Sequence, residues 1–378
     1  MLNIEQLSYW ERSQYFEGID FLIIGAGIVG YSAALKLRKA HPSAKIVIME
    51  RGYLPSGAST KNAGFSCFGS ASELLSDLET MSEETVWSTV QKRWQGLQRL
   101  TEIVGDGLNH EIHGSWDLFM PSEKDSAAKV SANLTYLNAK IKEITGEENV
   151  YSMDHRVAEK FGFEGIESSC YNRLEGQINT GSMMHCLHQK AVASNVLILF
   201  GVSIEALQSA LYNVQIQTSA GFITAGKVLI CTNGFARQFL PHHDVHPARA
   251  QVLVTSPIDD LQVKGTFHYQ SGYYYFRNVN DRILIGGGRN LNFEGETTTT
   301  FANTAQITDA LKEMLTTIVL PNTDFSIHYE WSGIMGVGKT KAPIVDKIDQ
   351  HIGVGVRMGG MGVAIGSLVG EELADLFS

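Results

Sequence analysis

Between Phe21 and Glu50 the chain reads FLIIGAGIVGYSAALKLRKAHPSAKIVIME, and this stretch constrains the fold more than any other. Phe21 to Ile24 is a continuous apolar run, as a parallel strand buried on both faces requires. Ile28 to Ala40 has helical spacing with Ala and Leu, and Ile46 to Met49 is a second apolar strand. Strand, helix and strand predict a βαβ unit. At its first turn Gly25, Gly27 and Gly30 form G-x-G-x-x-G. The first glycine permits the tight turn, the second lets backbone approach a pyrophosphate, and the third lets helix and strand pack closely. Ile28 opens the helix, whose unpaired N–H groups and positive dipole end then face phosphates. Glu50 stands 20 residues after Gly30, at the end of the second strand, where a carboxylate accepts from ribose hydroxyls. A 2′-phosphate would clash with it, so the predicted ligand is NAD or FAD rather than NADP.

Charge and composition remove several function classes. A formal charge of −10 without any basic run opposes nucleic acid and anionic membrane surfaces. No stretch approaches the roughly 18 uninterrupted apolar residues of a membrane span. The start MLNIEQLSYWERSQYF lacks the basic opening and apolar core of a leader, so the chain reads as cytoplasmic. Cys67, Cys170, Cys186 and Cys231 show no CxxC spacing, which argues against a disulfide framework. His242, His243 and His246 in HHDVH have no acid beside them except Asp244, and no metal site is expected. Cys67, among small and apolar neighbours, is expected to be an inert packing residue.

After Glu50 comes RGYLPSGASTKNAGFSCFGS, rich in Gly, Ser and Ala, which reads as a loop pressed against a ligand. Within it GASTKNAGF resembles the GAS-x-R-N-x-G segment of the FAD-dependent amine and amino-acid oxidoreductases of the D-amino-acid oxidase superfamily. That group includes glycine oxidase, sarcosine oxidase and γ-glutamylputrescine oxidase. The resemblance implies that Ser59, Thr60, Lys61, Asn62, Ala63, Gly64 and Phe65 wrap the ribityl chain and flavin, with Lys61 where Arg is commoner, and Arg51 is a further expected cofactor-binding residue. Further segments are similar in the same order along the chain. They are SYWE, EGQINTGSMMHCLHQKAV, VLILFGVSIEAL with Val202 facing adenine, and KVLICTNGF with Thr232, Asn233 and Gly234. YYYFRNVNDRILIGGGR and YEWSGIMGVGKTKAPIV follow, the latter with Gly333 and with Lys341 in place of the usual acid.

HIGVGVRMGGMGVAIGSLVGEELADLF near the C-terminus is again an apolar strand, a glycine turn and a helix. Its Gly359, Gly360, Met361 and Gly362 would build a second helix N-terminus, which the resemblance aims at the flavin's pyrimidine carbonyl. The expected fold is α/β: a Rossmann-like FAD-binding domain with a mixed-sheet α+β substrate domain inserted discontinuously. Residues 1–80, 150–236 and 330–378 are assigned to the first, and 81–149 and 237–329 to the second.

Amine oxidation at a flavin asks the protein to hold the substrate C–H over the flavin, stabilise charge and exclude water. On an extended strand Tyr273, Tyr275 and Arg277 share one face, a usable pocket for a carboxylate or polar tail. Trp331 and Arg357 complete the candidate catalytic set, with a structural ion pair as the alternative for both arginines. The resemblance also has gaps. GIMG replaces a G-x-R-P carboxylate site, and Leu284 and Ala364 stand where sarcosine-oxidase-like members carry lysines. Residues 333–345 contain no cysteine, so FAD is expected to bind non-covalently. The expected activity is oxidation of a C–N bond in a small amine or N-substituted amino acid, with oxygen or another acceptor reoxidising the flavin. A 2-hydroxy-acid dehydrogenase of the same superfamily, a non-catalytic flavoprotein and a nicotinamide-dependent dehydrogenase are the alternatives.

Overall fold

A computed structural model describes residues 2–378. The βαβ unit forms as read: Ile19–Ile24 leads through Gly25–Gly27 into the helix Ile28–Ala40 and back to the parallel strand Ile46–Glu50. Every residue of Ile46–Glu50 is buried, as a strand covered on both faces must be. Around this unit grows a sheet in the order Ile344–Lys347, Ile352–Val356, Gly221–Ile230, Ile19–Ile24, Ile46–Glu50 and Leu197–Phe200. Its interior pairings are parallel, and Ile344–Lys347 closes one edge antiparallel. Ile204–Ser209 and Val214–Thr218 extend Gly221–Ile230 as an antiparallel meander.

Ile28–Ala40 and Gly362–Asp375 lie on one face of this sheet, Glu83–Val104 packs on Gly362–Asp375, and the three share one core. Small residues let them approach. A Cβ on Gly370 would meet Val29 O at 2.4 Å, and one on Gly96 would meet Ala364 O at 2.0 Å.

The second sheet runs Ile327–Val337, His246–Thr255, Arg282–Gly287, Tyr274–Val279, Thr266–Tyr269, Ser115–Phe119, Ser168–Asn172 and Tyr151–Asp154. It is antiparallel except where Thr266–Tyr269 lies parallel to Ser115–Phe119. Trp116, Phe161, Phe163, Phe267 and Phe276 stack and interlock in its core, with Phe267 and Phe276 parallel at 4.7 Å. The mixed α/β architecture is thus the expected one. A short antiparallel pair, Phe65–Ser66 with Gly176–Gln177, lies apart from both sheets.

Sheet pairing draws the domain boundaries differently from the sequence reading. Tyr151–Asp154 and Ser168–Asn172, assigned above to the FAD-binding part, pair in the second sheet because Ser115–Phe119 needs a partner on its open side. Ile327–Val337 is that sheet's other edge and carries the start of the 330–378 segment with it. In the opposite sense, Glu83–Val104 packs mainly on Gly362–Asp375, where Gly96 approaches Ala364. Among the described residues no helix is long and apolar enough to cross a membrane.

Candidate active site

A cavity of about 860 Å³ runs between the two sheets and past both glycine turns, near the top of the ~300–1,000 Å³ range of ligand pockets. At one end lie Gly25, Gly27 and Ile28. Gly25 has φ +105°, a conformation closed to residues with a side chain. Gly30 sits beneath the cavity, where a Cβ would stand 2.0 Å from Gly25 O. Neither Gly27 nor Met361 caps its helix with a side chain, so two helix N-termini present backbone N–H groups toward the same space. Ser59 Oγ accepts from Ile28 N–H at 3.0 Å. Glu50 is held by the N–H groups of Ala26 at 3.1 Å and Gly52 at 3.0 Å, and lines the cavity with Arg51 and Val202. The Arg51 guanidinium lies 3.8 Å from the Phe235 ring centroid.

The loop after Glu50 is braced from within. Asn62 Oδ1 accepts from Gly64 N–H at 2.8 Å and from the Thr180 hydroxyl at 2.9 Å. Thr60 turns away from the cavity and donates to Pro55 O at 2.7 Å. Lys61, Ala63, Gly64, Phe65 and Gly333 line the middle of the cavity, and Gly359, Gly360, Met361 and Gly362 line the far turn. Asn233 Oδ1 accepts from the N–H groups of Arg357 and Met358 at 3.0 and 3.2 Å, tying the segment after Gly221–Ile230 to the approach to the far turn. Gly234 is a close approach, since a Cβ there would meet Met335 O at 2.4 Å.

Three residues expected to touch substrate are engaged elsewhere. Arg277 is buried and donates to the carbonyls of Ala63 and Ile178, beneath the loop. Burial pulls its guanidinium down to about 10. The alternation that puts Arg277 on the face of Tyr275 is right, but loop carbonyls cross that face first. Trp331 donates from Nε1 to Lys61 O at 3.0 Å and packs behind the loop. Arg357 pairs with Asp244 at 2.9 Å and donates to Ala342 O at 2.8 Å, which is the structural ion pair that was the alternative. None of the three lines the cavity; Tyr275 does.

Tyr275, Phe65 and His268 meet edge to face, with ring centroids 5.3 and 5.5 Å from Phe65. Burial raises the Tyr275 phenol to about 12 and lowers His268 to about 4. Tyr273 and Arg289 lie on the same wall. Arg289 Nε is buried without a hydrogen-bond partner, and its guanidinium lies 5.0 Å from the Phe293 ring centroid. Sequence reasoning missed it, although GGGR directly after a hairpin was a visible signal. It also missed a charged corner, where Lys341 Nζ bridges Glu73 at 2.7 Å and Asp77 at 2.8 Å, with Arg93 at 3.7 Å from Glu73. Burial alone would raise Glu73, but Arg93 and Lys341 hold it down at about 2.

His242, His243 and His246 form no metal constellation; among the described residues the one group of that kind is Cys67, Glu175 and His268. Burial pushes the Cys67 thiol well up.

Residues 20–376 match the family described as FAD dependent oxidoreductase, DAO. The chain belongs to the DAO family of FAD-dependent oxidoreductases. It is 23% identical over 373 residues to the probable oxidoreductase OrdL of Rhizobium meliloti (strain 1021), covering 94% of this chain and 82% of that protein. Among solved structures it resembles L-proline dehydrogenase from P. horikoshii, with TM-score 0.74, 17% identity and coverage of 96% and 94% of the two chains. Glycine oxidase from Geobacillus kaustophilus is similar at TM-score 0.74 and 19% identity, with 94% of each chain covered.

The cofactor of this oxidoreductase family is FAD, and the site fits it. Gly27 leaves room that a Cβ would fill 2.9 Å from Ser59 Oγ. Thr232 Oγ1, on the cavity wall, is buried without a partner and is available to a polar ligand atom. The first glycine turn and Glu50 suit the adenosine diphosphate, the braced loop suits the ribityl chain, and the turn at Gly359–Gly362 suits the flavin ring.

Proposed function

We propose that this oxidoreductase oxidises a C–N bond of a small amine or N-substituted amino acid, with oxygen or another acceptor reoxidising the flavin. When bound, FAD supplies the two-electron acceptor for the substrate C–H. The observation that carries the reading is Arg289, a residue of the cavity wall whose Nε is buried without a partner. A buried donor of this kind invites an anionic group, and a substrate carboxylate supplies one in fork geometry. Arg289 thereby takes the role first given to Arg277. Tyr273 and Tyr275 wall the space beside it, and Phe65 and Met335 keep it apolar, which excludes water and fixes the substrate's orientation. Leu284 packs among Ala63, Val252 and Val254 and brings no cation to the flavin side, and neither does Ala364.

Anaerobic bleaching of the flavin absorbance by a panel of amines, N-alkyl amino acids and 2-hydroxy acids tests the proposal. Amines or amino acids should bleach it. Arg289→Ala should raise KM for a carboxylate-bearing substrate by roughly 10- to 150-fold, the equivalent of ~1.5–3 kcal/mol for a hydrogen bond to a charged group. Bleaching by hydroxy acids alone would replace this reading with the hydroxy-acid one. Bleaching by dithionite but by no organic substrate would favour a non-catalytic flavoprotein.

A further inference from the structure

Cys67, Glu175 and His268 come from three separate elements: the end of the flavin-facing loop, the turn before Gly176–Gln177, and the middle of Thr266–Tyr269. Their donor atoms all lie within 4.8 Å of one another. Glu175 is fully buried, and its Oε1 accepts from the N–H groups of Phe68 and Gly69 at 2.8 and 2.9 Å. That grip orients the carboxylate and leaves Oε2 buried with no partner. His268 Nε2 is likewise buried with none. The Cys67 sulfur lies 3.8 Å from Thr266 Oγ1 and 3.9 Å from Gly176 O, the outer limit for sulfur, and also lies beside the Glu175 carboxyl and the Ser115 hydroxyl. Unpaired buried polar atoms are destabilising. Two of them, with the weakly bonded Cys67 sulfur beside them, converge on one point and call for a shared ligand.

We infer that Cys67, Glu175 and His268 form a binding site for a divalent d-block cation of the zinc type. The donor set decides the class of ion. Thiolate, imidazole and carboxylate together suit zinc, whereas magnesium and calcium prefer all-oxygen shells. Zinc bonds of about 2.0–2.3 Å would draw the donors to roughly 3.5 Å apart, so side-chain rotations of about 1 Å close the site. Binding releases the thiol proton, and any carboxyl proton, to solvent. No oxidant or reductant takes part. Two backbone N–H groups already orient the carboxylate from behind, the arrangement that fixes metal ligands in general. Cys67 and His268 also line the cavity, so the fourth position opens on the cavity side, where water or a substrate oxygen completes the shell. The ion would lock the Phe65–Ser66 loop to the second sheet.

The test uses flavin-loaded protein, stripped with a chelator, dialysed against zinc and analysed for bound metal. Roughly one zinc per chain is expected, with one sulfur scatterer at the zinc X-ray absorption edge. Cys67→Ser and His268→Gln should each reduce bound zinc to background, counted per folded chain. The same dialysis with magnesium or calcium should leave neither ion bound. Wild-type protein that holds only background zinc overturns the site, as does a zinc edge without sulfur or full zinc retention in both variants. The sulfur signal is read on wild-type protein, so a variant that fails to fold does not remove the test. Substrate bleaching plays no part in it, so its outcome is separate from that of the C–N oxidation reading.

Discussion

Arg277 and Arg289 belong to one hairpin, and both are short of solvent, yet their partners differ completely. Arg277 holds the carbonyls of Ala63 and Ile178, while Arg289 lines the cavity with its Nε buried and unpaired. Substituting them should therefore separate stability from binding. Arg277→Met strands two buried carbonyls, and a loss of roughly 1.5–3 kcal/mol is expected in urea unfolding, with KM close to wild type. Arg289→Ala should show the reverse, an unchanged urea midpoint and a raised KM. The sequence placed Arg277 on the correct strand face, because alternation is local. It could not reveal that the Lys61–Phe65 loop, more than 200 residues away in the chain, crosses that face first. Gly27 was legible for the opposite reason, since its role depends on its immediate neighbours. Gly27→Val puts a branched side chain where a single Cβ is already 2.9 Å from Ser59 Oγ. Protein purified from that variant should be colourless at the flavin band; full yellow colour would remove the first glycine turn from the cofactor site.

The helix Ala71–Thr80 shows what periodicity reveals and what it hides. Its apolar stripe of Ala71, Leu74 and Leu75 is plain in sequence and is buried. Glu73 and Asp77 lie off that stripe and meet Lys341 from a loop near the other end of the chain. Glu73 is held at about 2, below its ordinary value near 4.5, so its ion pairs stabilise the fold fully above pH ~4.5 and are lost as pH falls toward 2. Asp77 is shifted up by burial, so its contribution runs in the opposite direction. Glu73→Gln should consequently cost at most about 3 kcal/mol at pH 7, and the gap to wild type should close between pH 4.5 and 2. Denaturant unfolding at a series of pH values measures this, and a gap constant down to pH 2 would contradict it. Helix packing supplies another element-scale prediction. Gly96 touches Ala364 O, and Ser367 Oγ donates to Gly96 O at 2.8 Å, so Glu83–Val104 lies directly on the first turn of Gly362–Asp375. Gly96→Val should overpack that contact by about 1–3 kcal/mol and lower flavin occupancy together with the melting temperature.

At the scale of the molecule, the first sheet was legible because its βαβ core is contiguous in sequence. The division between the two parts was not, because edge strands such as Tyr151–Asp154 are recruited by whichever sheet leaves an edge open. Both sheets border the same cavity, and both helix N-termini open on it. FAD spanning them would add a link between parts that the chain and backbone bonds such as Gly359 N–H to Gly336 O at 3.0 Å already join. A ligand that binds only the folded state adds RT ln(1 + [L]/Kd), about 4 kcal/mol at 1,000 times Kd. Flavin-stripped protein should therefore melt at a clearly lower temperature, and adding back FAD should raise that temperature continuously with its concentration. The link also sets an internal control. ADP alone can occupy the first glycine turn but cannot reach Gly359–Gly362, so at equal saturation it should recover only part of the increase. If ADP restored the full shift, the second turn would contribute nothing to cofactor binding, and the two-ended grip on the nucleotide would be wrong.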